Sequence, residues 1–147
     1  MGMFDSFDIN ATGMTAQRYR MDIISQNVAN ANTTRTSDGS PYVRKVVTFT
    51  EKDTQTPFRH VLNKATDHYS GKGVKVNGVY EDKTTEMNMV YDPSHPDADE
   101  NGYVTYPNVN IITEMTNLID ASRSYEANAT AFNASKNIAM QGLNIGK

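Results

Sequence analysis

Apolar residues recur at a seven-residue interval near both ends of the chain. Side chains at that interval share one face of a helix, and a sustained repeat of this length favours packing against a second helix. The pattern predicts long helices over residues 4–31 and 108–143. The repeating residues are Phe7, Met14, Met21 and Val28, with Ile24 beside them, in the first segment, and Ile111, Leu118, Tyr125, Phe132 and Ala139 in the second.

The segment between these helices has the composition of short strands joined by polar turns. β-Branched and aromatic residues concentrate at residues 42–50, 73–80, 86–91 and 103–106. This composition is typical of strands, whereas the polar residues 51–72 predict a loop. The predicted fold class is therefore α+β. Residues 1–31 and 108–147 form the two helices of one discontinuous helical domain, and residues 32–107 form a small β-rich middle region.

Composition argues against a self-contained globule. The hydrophobic fraction is 37% and there is no tryptophan among the 147 residues, whereas globular domains are usually about 45–50% apolar. A helix of about 30 residues also spans roughly 45 Å, longer than a small globule is wide. We therefore expect part of the apolar surface to be buried between chains.

Charge and cysteine content exclude several classes of partner and site. The net charge of −3 lacks the basic excess of nucleic-acid binders, so no nucleic-acid partner is expected. The absence of cysteine removes disulfides and thiolate metal sites. Asp5 and Asp8 interrupt the N-terminal segment, which has no basic start and no long apolar run. We therefore expect neither a cleavable signal peptide nor insertion into a membrane.

An acidic loop carries the sharpest candidate for ion binding. The stretch Asp97–Gly102 alternates oxygen-bearing side chains and ends on glycine, like the first half of a calcium loop. Its twelfth position holds Asn108 instead of the bidentate Glu, and Pro93 and Pro96 do not suit the usual entering helix. A soluble calcium-binding module is therefore the alternative function, and a plain acidic turn is the simpler interpretation.

The sequence contains no recognisable catalytic set. The three histidines, His60, His68 and His95, lack the spacing of a zinc site. No glycine-rich phosphate loop follows a predicted strand, and no nucleophile, histidine and acid are grouped. We predict that the protein is not an enzyme and has no catalytic residue, cofactor or metal.

Several stretches resemble one known family. The sequence Ser-Gln-Asn-Val-Ala-Asn-Ala-Asn-Thr at residues 25–33 resembles the signature of bacterial flagellar rod and hook proteins. It lies at the end of the first helix, where that family has it. Residues 107–128 resemble the closing helix of the family. Residues 91–99 and 102–110, together with the short length, resemble its proximal rod members.

The resemblance implies a structural subunit of the basal-body rod, the tubular drive shaft of the flagellum. Its expected partners are other rod and basal-body proteins, further copies of itself, and the flagellar type III export apparatus. It would lie on the periplasmic side of the cytoplasmic membrane. Its two terminal helices would pack as an antiparallel, coiled-coil-like pair. An exported coiled-coil adapter of another secretion system is a third hypothesis, which the β-rich middle disfavours.

The residues expected to make contacts between subunits lie on both helices. They are Phe7, Met14, Met21, Ile24 and Val28 on the first, Leu118, Tyr125 and Phe132 on the second, and the polar residues Asn27, Asn30 and Arg123. The sequence leaves open whether the apolar members pack instead within the helix pair of a single subunit.

Overall fold

Two long helices account for about half of the residues that the structure describes. A computed structural model describes residues 3–52 and 72–144. Helix α1 runs over Met3–Ala29 and helix α2 over Ile111–Asn144, which confirms the two predicted helices. The side-chain oxygen of Asn110 caps α2, because it accepts hydrogen bonds from the N–H groups of Ile112 (3.0 Å) and Thr113 (3.2 Å).

Within the described residues, four short strands form two separate two-stranded sheets. Strand β1 (Lys45–Glu51) pairs with β2 (Val74–Glu81), and β3 (Asn88–Tyr91) pairs antiparallel with β4 (Tyr103–Tyr106). The four predicted strands are therefore confirmed in order. Strand β1 begins later than predicted, because Tyr42 and Arg44 bond through their N–H groups to Thr33 and Asn108. Most of the predicted loop, residues 53–71, lies outside the described residues.

The chain divides into two compact units, each built from several segments. We call Met1–Tyr19, Phe49–Asn77 and Ser122–Lys147 the terminal unit, since it holds both ends of the chain. We call Arg20–Thr48 and Gly78–Ala121 the motif unit, because it holds residues 25–33. The predicted division near residues 31 and 107 follows sequence type instead of contacts, and it stays a prediction.

The helices pack against each other in an antiparallel sense within the terminal unit. The rings of Phe7 and Phe132 meet edge to face with centroids 5.1 Å apart. One and a half turns later along α1, Gly13 approaches Asn128, which comes earlier along α2. A Cβ atom on Gly13 would lie 2.9 Å from the Asn128 side-chain oxygen. A side chain at position 13 would thus displace the Asn128 carboxamide, so glycine suits this close approach, and the predicted helix pair is confirmed.

The start of β2 is held against α1 in the same unit. The N–H of Val74 donates to the hydroxyl oxygen of Thr12 at 3.2 Å. The preceding residue, Gly73, has a positive φ of 94°, a conformation that other residues rarely adopt. A Cβ atom there would also collide with the Thr12 hydroxyl. Both the backbone conformation and the space at this position thus demand glycine.

Buried residues concentrate in the motif unit. Its buried residues are Ile23, Ile24, Asn27, Ala31, Tyr42, Val104, Pro107, Asn108, Glu114 and Ala121. Among the described residues of the terminal unit, only Ala16 is buried. Neither α1 nor α2, over its described residues, combines the length and apolar character that a membrane span needs.

Candidate functional site

A buried side chain of the motif unit with four hydrogen bonds is Asn27, near the end of α1. Only 1% of it is exposed. Its oxygen accepts from the Tyr42 hydroxyl and the Lys45 N–H, both at 2.9 Å. Its amide nitrogen donates to the Lys45 carbonyl at 2.8 Å and to the Glu114 carboxylate at 2.9 Å. All four hydrogen-bonding positions of the carboxamide are therefore used.

The contact with Lys45 explains why the residue is asparagine. A carboxamide has the donor and acceptor of a peptide group, so Asn27 bonds the N–H and the carbonyl of Lys45 as a neighbouring strand would. Lys45 is the first residue of β1. Aspartate lacks the donors and leucine lacks both kinds of group. The end of α1 is in this way fixed to the start of the strand.

A buried ion pair extends from Asn27. Glu114 is 1% exposed, and its carboxylate accepts from Nε and Nη2 of Arg44 at 2.9 and 2.7 Å. The other guanidinium nitrogen of Arg44 lies 3.3 Å from the carboxylate of Asp82. A buried carboxylate needs both a counter-charge and hydrogen bonds. Arg44 and Asn27 supply them to Glu114.

Asn108 joins this group to the chain just before α2. Its oxygen accepts from the Arg44 N–H at 2.8 Å. Its amide nitrogen donates to the carbonyls of Asp82 and Thr85 at 2.7 and 3.1 Å. We define the Asn27 junction as Asn27, Tyr42, Arg44, Lys45, Asp82, Asn108 and Glu114. It connects α1, the start of β1, the turn after β2 and the beginning of α2.

The electrostatics of the junction favour its charged form. Hydrogen bonds from the hydroxyls of Thr84 (2.7 Å) and Thr85 (2.9 Å), with their backbone N–H groups, hold the pKa of Asp82 well below its usual range. Burial alone lowers the pKa of the Arg44 guanidinium, but hydrogen bonding and charge from Glu114 and Asp82 raise it overall. Both groups therefore stay ionised at neutral pH.

The tyrosine of the junction stays protonated for a related reason. Burial, and after it the negative charge of Glu114, raises the pKa of the Tyr42 hydroxyl. The hydroxyl therefore remains a hydrogen-bond donor to Asn27. The junction as a whole engages the side chains of Asn27, Tyr42, Arg44, Asp82, Asn108 and Glu114 in hydrogen bonds. Its chemistry is that of a rigid connection between segments distant in the sequence.

The structure places the expected contact residues in several environments. Phe7 and Phe132 touch each other, and Ile24 is buried. Half-buried members are Met14, Met21, Val28 and Leu118, whereas Tyr125 and Arg123 are exposed. Asn30 donates to the Gln26 carbonyl at 2.9 Å and follows the last residue of α1. These are positions in one chain, so their predicted roles between subunits stay predictions.

Sequence analysis did not single out Arg44, Asp82 or Glu114. Glu114 is separated from Arg44 by 70 residues and from Asn27 by 87, so no local spacing connects them. One signal was present in the sequence. Glu114 precedes Ala121 by seven residues, and both are buried on α2. On α2, the charged Glu114 and the small Ala121, one seven-residue repeat apart, mark the closely packed face better than the row of bulky apolar residues does.

Carboxylates of the acidic loop are already engaged in bonds within the chain. Asp97 accepts from the Thr34 hydroxyl at 2.8 Å and lies 3.7 Å from Arg35. Asp99 accepts from two backbone N–H groups of the turn that follows, at 2.9 and 2.8 Å. Across residues 3–52 and 72–144, no three acidic, histidine or cysteine side chains are grouped to hold a metal ion. The loop gives the calcium-binding alternative no support.

Comparison with known proteins identifies the family. The description "Flagella basal body rod protein" matches residues 7–35, and "Flagellar basal body rod FlgEFG protein C-terminal" matches residues 100–145. The first match contains Asn27, and the second contains Asn108 and Glu114. The matched ranges therefore meet at the Asn27 junction.

Full-length relatives agree with these matches. A protein of Bacillus subtilis is 44% identical over 153 residues, covering 100% of both chains. One of Borreliella burgdorferi is 42% identical, covering 99% of this chain and 98% of its own. One of Salmonella typhimurium is 37% identical over 100% of both. All three are named flagellar basal-body rod protein FlgC. The resemblance drawn from the sequence is confirmed, and the chain belongs to the FlgC family of flagellar basal-body rod proteins.

Proposed function

We propose that this chain is a structural subunit of the bacterial flagellar basal-body rod and that it has no catalytic role. The observation that carries the proposal is the full-length likeness to rod proteins of three bacteria. The Asn27 junction supports it, because both family-matched segments contribute to one buried connection. A subunit that transmits torque needs such rigid connections between its segments.

The proposed partners are other basal-body rod proteins and further copies of this chain. The chain reaches them through the flagellar type III export apparatus and acts on the periplasmic side of the cytoplasmic membrane. The absence of cysteine suits a chain that passes between reducing and oxidising surroundings. The mild net charge of −3 fits protein partners better than nucleic acid.

The contact surface includes a row of exposed apolar residues on α2. Ile112, Met115 and Ile119 are 79%, 55% and 54% exposed. They recur at three- and four-residue steps and so share one helix face. We call these three residues the α2 stripe. Large apolar groups in a contiguous exposed row are typical of protein–protein contacts. The stripe adds to the contact residues named from the sequence, of which Tyr125 and Arg123 are also exposed.

The division of the chain into domains is proposed on the same grounds, namely which residues are exposed for contacts with neighbours. Residues 1–31 and 108–147 act as one helical domain that packs against neighbouring subunits, and residues 32–107 act as a β-rich attachment to it. Contacts of helices with neighbours that do not close into a ring propagate as a tube. The exposed stripe on α2 supports the assignment of assembly to the helical domain.

Complementation tests the proposal in a strain that carries one copy of the gene. In-frame deletion is expected to abolish flagella in electron micrographs, and the wild-type gene on a plasmid to restore them. Ile119→Asp is expected not to restore them, because it charges the stripe. Thr113→Asp is the matched control, since it adds the same charge to an exposed position of α2 away from the stripe. Normal flagella in the deletion strain would contradict the function. Full rescue by both variants would contradict the surface alone.

A further inference from the structure

The two edges of the β3–β4 sheet differ in their hydrogen bonding. The pairing register is Val90 opposite Val104 and Tyr91 opposite Tyr103. The N–H of Asp92 donates to the carbonyl of residue 102 at 2.9 Å. Hydrogen-bonded pairs alternate along an antiparallel ladder, so Val90 bonds to β4. The backbone groups of Tyr91, and of residue 89 two positions before it, therefore point away from β4.

The outer edge of β4 is covered, whereas that of β3 is open. On β4, Asp99 donates its N–H to the Tyr103 carbonyl at 2.9 Å and accepts the Tyr103 N–H on its carboxylate at 2.8 Å. On β3, the outward groups of Met89 and Tyr91 face no strand or side chain in the part of the chain that the structure describes. One sheet thus has one satisfied edge and one unsatisfied edge.

The open edge carries no charge or proline against strand pairing. Natural edge strands are kept very short or carry a charge, a proline or a bulge that prevents association, and of these devices β3 has only its short length of 4 residues. The sequence of β3 is Asn-Met-Val-Tyr, without charge or proline. Met89, Val90 and Tyr91 are 65%, 43% and 64% exposed. Strand β3 therefore presents free donors, free acceptors and apolar side chains together.

We propose that β3 pairs antiparallel with β3 of a second copy of this chain, about a two-fold axis through Val90. The two outward-facing residues, Met89 and Tyr91, are two positions apart. A two-fold axis midway between them places Met89 of one copy opposite Tyr91 of the other. Each such pair forms two backbone hydrogen bonds, and symmetry repeats the pair. The product is one four-stranded sheet.

The side chains fit this pairing. Methionine sulfur beside an aromatic ring is a favourable contact, and the axis brings Met89 next to Tyr91 of the second copy at both ends. Asp92 falls beside Asn88 of the second copy, so no like charges stand directly opposite each other. The axis places each outward-facing residue of β3 opposite the other one, so the same four-residue sequence serves as both partners. This chain supplies its own complement.

The pairing is separate from rod assembly and does not rest on it. A two-fold contact closes after two copies, whereas a rod grows through contacts that leave a free end. The paired form therefore belongs to subunits outside the rod, where it covers an edge that would otherwise accept unrelated strands.

Single cysteines test the pairing cleanly, because the chain has none of its own. On the axis, the two copies of Val90→Cys would have Cα atoms about 4.5 Å apart, within the range that a disulfide bridges. In the control Asn88→Cys the two positions would be about 14 Å apart along the strands. Under mild oxidation of the full chain, Val90→Cys is expected to give roughly tenfold more disulfide-linked dimer than Asn88→Cys.

Light scattering supplies the second measurement. The wild-type chain is expected to elute as a dimer and Met89→Pro as a monomer. Proline there removes only an outward N–H, which an edge strand tolerates, so the circular dichroism spectrum should not change. A monomeric wild-type chain, equal cross-linking of the two cysteine variants, or a dimer that persists in Met89→Pro would each overturn the proposal.

Discussion

The terminal and motif units share the same two helices but are held together in different ways. The motif unit adds strands and turns to the helices, and it buries both apolar residues and the Asn27 junction. The terminal unit has one buried residue among those described, Ala16. Its contacts include a pair of rings, a close approach at Gly13 and a hydrogen bond from Val74 to Thr12. Because its described residues bury so few side chains, internal stability should concentrate in the motif unit.

The exposed residues of α2 show the same difference in burial between the two units. In the terminal unit its last turns expose Ile138, Met140 and Leu143. Burying such side chains is favourable by roughly 1.5–3 kcal/mol each when it is complete. The described residues of the chain leave this free energy unused. If the proposed rod function holds, we expect the order of the terminal unit to depend most on assembly.

The largest effect is expected from removing the counter-charge in the motif unit. Arg44→Ala leaves the Glu114 carboxylate buried without its partner, and breaking a buried ion pair costs about 3–5 kcal/mol. Urea unfolding of the full chain measures the loss. Arg35→Ala is the control, since Arg35 is 69% exposed and 3.7 Å from its carboxylate. Such a surface pair contributes about 1 kcal/mol or less. Equal losses in the two variants would refute the structural role of the junction.

A smaller and more local effect is expected in the terminal unit. Phe132→Ala removes the ring contact with Phe7, so amide hydrogen exchange should accelerate in residues 3–19 and 122–144. Exchange in residues 20–29 and 111–121 should stay slow, because those amides belong to the motif unit. Ile138→Ala is the matched control, since its side chain is exposed. Uniform exchange rates along each helix of the wild-type chain would contradict a difference in stability between the two units.

The smallest effect is expected from acid. The pKa of Asp82 is lower in the folded chain than its unfolded value of about 3.9. The ionised form therefore stabilises the motif unit above that pH, and this contribution is lost as the pH falls below it. Asp82→Asn cannot ionise, so its stability should fall less steeply between pH 5 and 2 in chemical denaturation. Parallel pH profiles for wild type and variant would show that Asp82 does not contribute.

Local patterns predict the elements well because each element has its own period. Seven-residue spacing located both helices, and alternating β-branched and aromatic residues located all four strands. The bounds differ where backbone groups at the ends bond to other segments. The backbone N–H groups of Tyr42 and Arg44, for example, donate to the Thr33 carbonyl and to the Asn108 side-chain oxygen before β1 begins. A backbone group that is already bonded elsewhere cannot join the ladder.

The buried face of α2 and the junction were not predictable in the same way. The apolar row through Leu118 and Tyr125 marks bulky residues, whereas the most buried positions of the helix are Glu114 and Ala121. Close helix approach selects small residues, as Gly13 shows opposite Asn128, and a buried carboxylate depends on a distant cation. Hydrophobic periodicity detects neither requirement, since both are set by the partner segment.

The sequence distance across the Asn27 junction has a consequence for how the chain reaches its folded form. Asn27 must wait for Glu114, which follows it by 87 residues, and Arg44 must wait 70 residues for the same carboxylate. Contacts of such long separation slow folding, since the intervening chain must be ordered before they form. A chain emerging from the ribosome therefore completes about three quarters of its length before its main stabilising contacts are possible. During that interval the bonds that Asn27 and Arg44 make to Glu114 cannot form.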